Sequence, residues 1–199
     1  MPPHLYLASS NAGKLRELSA LARAEGFELA SVPGYDRLPA FPEDEPSFAL
    51  NAMQKALYYS RGSELLVVAD DSGLVVEALG GRPGVRSARY AGPEATDAEN
   101  NNKLLEELKG VPADKRGARF VCALAVARGD RIVGIFSDYV EGLMLDGPRG
   151  TGGFGYDPLF FLPERGCTTA ELSSEEKNRI SHRGKAFSKL LAFLKGRES

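Results

Sequence analysis

Residues 118–128 and 131–145 form two long runs rich in apolar and β-branched side chains, and they meet at Gly129-Asp130. A glycine-containing dipeptide between such runs predicts a tight turn and a long antiparallel hairpin. A hairpin is marginal alone in water, so the rest of the chain must supply strands or helices to cover it. The first half does so in a different rhythm. Residues 4–8 predict a short strand. Residues 14–24 predict a helix through Leu15, Leu18, Leu21 and Ala22, closed by Gly26, and residues 27–32 predict a second strand. This is a βαβ-like beginning. Residues 33–46 hold Pro33, Pro39, Pro42 and Pro46 and predict a loop, and residues 48–59 predict an amphipathic helix. Residues 65–69 read as a buried strand that runs into Asp70-Asp71-Ser72-Gly73, with a further strand at 74–78. A turn at 80–84 and an irregular stretch at 85–92 lead to a helix capped by Thr96-Asp97 and reaching Lys109. Later come a buried strand at 159–162, a short helix capped by Ser173 or Ser174, and a last helix at 183–195. The combination is α/β with a mixed sheet.

With 199 residues, 43% hydrophobic and 26% charged, the chain fits one globular domain over 1–199, of one or two lobes. A net charge of −2 gives no broad basic face for long nucleic acid. It leaves room for a small anion in a locally basic pocket. No apolar run approaches the roughly 20 residues of a membrane span, and the N-terminus has no charged region leading into an apolar core. Cys122 and Cys167 lack metal-ligand spacing, and Cys122 sits in an apolar run. The expectation is a reduced, cytoplasmic protein.

Four segments carry chemistry. Thr151-Gly152-Gly153-Phe154-Gly155-Tyr156-Asp157-Pro158 sets two aromatic faces and one carboxylate on a glycine-rich backbone. Those are the parts of a pocket for a heteroaromatic base, and equally of a turn before a buried strand. Ser9-Ser10-Asn11-Ala12-Gly13-Lys14 lies between a strand and a helix, where N–H groups and the helix dipole attract phosphate, or where Asn11 is simply a cap. Asp70-Asp71 stands at a strand end and suits Mg²⁺, which takes one or two carboxylates plus phosphate oxygens, or else caps a turn. Strand alternation needs only one of the two to enter a site. Glu43-Asp44-Glu45 is a second acidic cluster, either solvated or folded back towards Asp71. Lys177, His182 and Arg183 lie in a dense run of donors around a helix break.

Taken together, these residues resemble the inosine triphosphate pyrophosphatase family, the Ham1-type non-canonical purine NTP pyrophosphatases. The matching segments include Ser9-x-Asn11-x-x-Lys14, Asn51-Ala52-x-x-Lys55-Ala56, Ala69-Asp70-Asp71-Ser72-Gly73-Leu74 and Gly84-Val85-x-Ser87-Ala88-Arg89-Tyr90-Ala91-Gly92. They continue with Gly152-Gly153-Phe154-Gly155-Tyr156-Asp157-Pro158 and Glu176-Lys177-x-x-Ile180-Ser181-His182-Arg183-Gly184. Leu50 stands where many members carry an acid, and Ser9 where Thr is common.

The resemblance implies an elongated mixed sheet flanked by helices, with two lobes and a central nucleotide-binding cleft. It implies Mg²⁺-dependent hydrolysis of ITP, XTP and dITP to the monophosphate and pyrophosphate, by a homodimer. Ser9, Asn11 and Lys14, with the intervening Ser10, Ala12 and Gly13, match its phosphate-binding segment. Asp71 matches the proton acceptor and a metal ligand, Glu43 the acidic ligand of the loop, and Ser72 a substrate contact. Phe154, Gly155, Tyr156 and Asp157 match the base-binding loop. Lys177, His182 and Arg183 match contacts on the far side of the base.

Overall fold

Val67–Val76 is one unbroken strand in the computed structural model, which describes residues 4–198. The sequence suggests a strand end and turn at Asp70-Asp71-Ser72-Gly73. The chain stays extended there because both carboxylates are satisfied by side chains of other elements instead of capping local N–H groups. Gly73 also serves clearance instead of turning. A Cβ at Gly73 would meet Ser87 Oγ and, at 2.7 Å, the Gly84 carbonyl. Gly73→Ala should therefore lower stability by about 1–3 kcal/mol, the usual cost of overpacking. A thermal melt unchanged from the parent would contradict the close approach.

The seven strands are β1 (His4–Leu7), β2 (Glu28–Ser31), β3 (Val67–Val76), β4 (Gly117–Arg128), β5 (Arg131–Met144), β6 (Phe160–Leu162) and β7 (Cys167–Thr168). They form one sheet in the order β2-β1-β3-β4-β5-β6-β7. β1 pairs in parallel with β2 and with β3, whereas β5–β6 and β6–β7 are antiparallel. The Gly129-Asp130 turn joins β4 to β5, with Gly129 at φ +57°. The expected mixed α/β sheet with flanking helices is thus what the chain forms. The helices are α1 (Ala12–Ala24), α2 (Phe48–Ser60), α3 (Asp97–Glu107), α4 (Ser174–Ile180) and α5 (His182–Glu198). Asn11, Ser47, Thr96 and Ser173 cap the first four, and Thr96/Glu99 and Ser173/Glu176 are capping boxes.

The chain divides into two compact units. The first comprises Met1–Asp71, Cys122–Asp138 and His182–Ser199, within the described residues. It is built in three layers. One face of its strands, through Leu5, Leu7, Val68, Cys122, Leu124 and Val126, packs on Leu18 of α1 and on Phe187, Leu190 and Leu191 of α5. The opposite face, through Val67, Ala69, Ala123, Ala125 and Ala127, packs on Ala52, Ala56 and Tyr59 of α2. Successive residues of β3 and β4 alternate between these two cores, as pleated strands require. The second unit, Ser72–Val121 and Tyr139–Ser181, has its own core of Leu74, Leu104, Leu108, Met144, Tyr156 and Phe160. There the Phe120 and Phe160 rings lie 4.4 Å apart.

Candidate active site

The alternation of β3 assigns its two adjacent carboxylates to different faces. Val68 belongs to the α1/α5 core and Ala69 to the α2 core, so Asp70 follows the first and Asp71 the second. Each then meets a different chemistry.

Asp70 is fully buried. Lys14 forms an ion pair with its Oδ1, and Arg183 Nε lies 3.1 Å from Oδ2. The Cys122 thiol donates to the same Oδ2 at 3.3 Å. Arg183 is 3% exposed and also donates through Nη1 to Glu17 Oε2 at 2.5 Å. Burial alone would pull the Arg183 pKa down, but Asp70 and Glu17 hold it above its ordinary value. Burial, and then Asp70, push the Cys122 thiol well up. This is a largely buried cluster in which two basic side chains face two acidic ones. It holds the start of α1 and the start of α5 on the same strand.

Asp71 is 5% exposed and lies on the α2 side. Asn51 Nδ2 donates to its Oδ2 at 2.9 Å, while Asn51 Oδ1 accepts from Glu45 N at 3.0 Å. The acidic loop therefore does fold back. Lys55 Nζ bonds Glu43 Oε1 at 2.5 Å, and Gln54 Nε2 bonds Glu45 Oε1 at 2.8 Å. Burial raises the Asp71 pKa to about 6; the Asn51 hydrogen bond lowers it, and the Glu43 charge raises it again. A carboxyl group poised near neutrality and oriented by a neighbour is suited to take a proton.

At the head of α1, Ser9 is buried, and its Oγ accepts from Asn11 N at 3.2 Å. Asn11 Oδ1 accepts from Lys14 N at 3.0 Å. Ser10, Asn11 and Ala12 are exposed and Gly13 is half-buried. Ser72 is half-buried within β3, and His182 is buried as the first residue of α5.

In the second unit the loop 151–158 is fixed by its own acid. Asp157 Oδ2 accepts from Phe154 N at 2.8 Å and from Lys177 Nζ at 2.6 Å, and its Oδ1 accepts from Thr169 Oγ1 at 2.9 Å. Gly153 has φ +74°, and a Cβ there would collide with the Asp157 carboxylate. Gly155 is gripped by α3: its N–H donates to Asp97 Oδ2 at 2.6 Å, and its carbonyl accepts from Asn101 Nδ2 at 2.9 Å. Tyr156 is core, with its hydroxyl donating to the Ser87 carbonyl at 2.9 Å. Phe154 remains half-buried, with Lys177 Nζ 4.8 Å above its ring.

Each unit thus brings together a subset of the expected residues. Lys14 and Arg183 meet at Asp70 in the first, and Phe154, Asp157 and Lys177 meet in the second. Sequence reasoning assigned no role to Asn51, Lys55 or Glu17. The available signal was Asn51 and Lys55 at i, i+4 on the buried side of α2, polar where an amphipathic helix is otherwise apolar.

A sequence profile of the Ham1 family matches residues 5–193. A dITP/XTP pyrophosphatase of Geobacillus kaustophilus is 54% identical over 186 residues, 94% of this chain and 91% of that protein. One from Geobacter sulfurreducens is 49% identical over 191 residues, covering 96% and 94%. The solved structure of a HAM1 protein from Coxiella burnetii superposes with a TM-score of 0.87 at 38% identity, covering 98% of this chain and 99% of that one.

Proposed function

This chain belongs to the Ham1 family, and on that footing we propose that it is a nucleoside triphosphate pyrophosphatase that clears non-canonical purines from the nucleotide pool. It hydrolyses dITP, XTP and ITP to the monophosphate and pyrophosphate. The observation that carries this reading is Asp71: buried, oriented by Asn51, acted on by Glu43 and poised near neutrality.

In the proposed reaction Asp71 accepts the proton of the water that attacks the α-phosphorus. Lys14, tethered by Asp70, and the head of α1 at Ser9, Ser10, Asn11, Ala12 and Gly13 take up charge on the departing pyrophosphate. Among the described residues no group of three His, Cys, Asp or Glu side chains converges as a ready metal cage. Mg²⁺ takes one or two carboxylates and completes its shell with substrate oxygens and water. Glu43 and Asp71 are the residues we assign to it, and when bound it neutralises phosphate charge.

Base selection is assigned to Phe154, whose ring offers a stacking face, to the backbone of Gly155, and to Tyr156 and Asp157, which shape the loop. Ser72 is assigned a substrate contact, and Lys177, His182 and Arg183 the donors. Hypoxanthine presents an acceptor at the 6-position and adenine a donor. Donors facing that position reject adenine by about 10⁴-fold, because a buried polar group would go unpaired. Arg183 Nε and Nη1 already donate to Asp70 and Glu17, so a base-reading role would act alongside those contacts.

We further propose that residues 1–199 act as one pyrophosphatase domain, in a cytoplasmic homodimer. Among the described residues no helix is long and apolar enough to cross a membrane. The test is a panel of ITP, XTP, dITP, GTP, ATP and TTP with Mg²⁺, measuring pyrophosphate separately from orthophosphate. Rapid pyrophosphate release from the first three alone is expected. Orthophosphate as the primary product, or equal release across the panel, would overturn the reading.

A further inference from the structure

A cavity of about 420 Å³ in the first unit is lined by Phe27, Leu66, Val133 and Leu194 together with Arg128, Arg131 and Arg197. Its apolar lining includes two buried side chains, Phe27 and Leu194, and its three arginines are exposed. Arg128 and Arg131 flank the β4–β5 turn, and Arg197 lies in the last turn of α5. None of the residues to which the reaction is assigned lines it.

Three guanidinium groups meet at its mouth, and that of Arg197 lies 5.4 Å from the Phe193 ring centroid. Among the described residues, none of the three arginines has an ion pair with an acid, and two acids of neighbouring segments face other cations. Glu25 Oε2 lies 2.6 Å from Lys195 Nζ, and Asp130 Oδ1 lies 3.6 Å from Arg61 Nε. Like charges gathered round one cavity raise each other's energy, and an anion seated among them relieves that cost. The volume is that of a small-molecule site. Guanidinium forks match phosphate and carboxylate oxygens in pairs, and the apolar lining matches a ring or short chain.

We propose that this cavity is a binding site for a small organic phosphate, whose apolar body rests on Phe27, Leu66, Val133 and Leu194 and whose dianionic head lies among Arg128, Arg131 and Arg197. The proposal stands independently of the pyrophosphatase reading.

The test is a titration with 1-naphthyl phosphate, followed by the methyl NMR signals of Leu66, Val133 and Leu194. 1-Naphthoate and neutral 1-naphthol are titrated in parallel. Saturable shifts of those methyls are expected with the phosphate, weaker binding with the carboxylate, and little with the alcohol. The double variant Arg128→Gln/Arg131→Gln should weaken phosphate binding about tenfold or more while keeping its melting temperature and substrate turnover. Equal affinity in the variant, shifts confined to signals near Phe154, or naphthol binding as tightly as the phosphate would each overturn the proposal. Tighter binding of naphthoate would replace the phosphate head by a carboxylate and overturn it in that respect.

Discussion

Replacing Asp71 by Asn should lower kcat about 10³-fold and, at neutral pH, make the metal-free protein more stable than its parent. The first effect is the loss of a positioned proton acceptor, commonly worth about 10²–10⁴ in rate. The second follows from burial. In the fold, desolvation, partly offset by Asn51 and reinforced by Glu43, lifts the Asp71 pKa from 3.8 to about 6. The folded state therefore holds the proton more tightly than the unfolded one. The stability this confers is complete below about pH 4 and is lost as pH rises through about 6. Above that, Asp71 is ionised in both states, and the folded state carries a penalty of up to about 3 kcal/mol. Asn removes that penalty and can still accept from Asn51 Nδ2. Denaturant titrations in EDTA should show the variant ahead of the parent at pH 7.5, with the gap closing towards pH 4. Near-parental turnover would remove Asp71 from the reaction, and a variant less stable at pH 7.5 would contradict the buried-charge account.

The neighbouring substitution, Asp70→Asn, should do the opposite. Asp70 is fully buried and balances Lys14 and Arg183, with the Cys122 thiol as a further donor. Neutralising it removes the carboxylate that both Lys14 and the buried Arg183 face. Removing one partner of a buried pair costs about 3–5 kcal/mol, because the remaining charge has lost its solvation as well as its counter-ion. Denaturant unfolding of Asp70→Asn at pH 7.5 checks this, and a loss under about 1 kcal/mol would mean that water or rearrangement supplies what Asp70 does.

Much of the architecture could be read from the residues. The hairpin at Gly129-Asp130, the caps at Thr96 and Ser173 and the helices at 48–60 and 97–107 follow from local chemistry: a turn dipeptide, an ST cap, a 3.6 period. What failed locally was decided at a distance. Asp70-Asp71-Ser72-Gly73 has turn composition, yet it stays a strand because Asn51, Lys14 and Arg183, 20 to 113 residues away, satisfy its side chains. The strand Cys167–Thr168 is too short to leave a periodic signal. The site divided in the same way. The residue types were legible, but their partners were not. Asp157 illustrates this, since a carboxylate in a glycine loop looks available to a ligand. In the fold it accepts from Phe154, Lys177 and Thr169, and so holds the loop in shape.

One geometric fact about β3 reaches beyond single substitutions. Asp70 and Asp71 differ only in the parity of their position along a pleated strand that is covered on both faces. Inserting or deleting one residue between Val67 and Ala69 would shift every later side chain to the other face, delivering each carboxylate to the other's partners. Length in this segment is therefore held more tightly than composition. Exchanges among Val, Ile and Ala there carry the local cost of a cavity or of overpacking, whereas a change in the count of residues from the start of the strand to Asp71 re-sorts every later side chain.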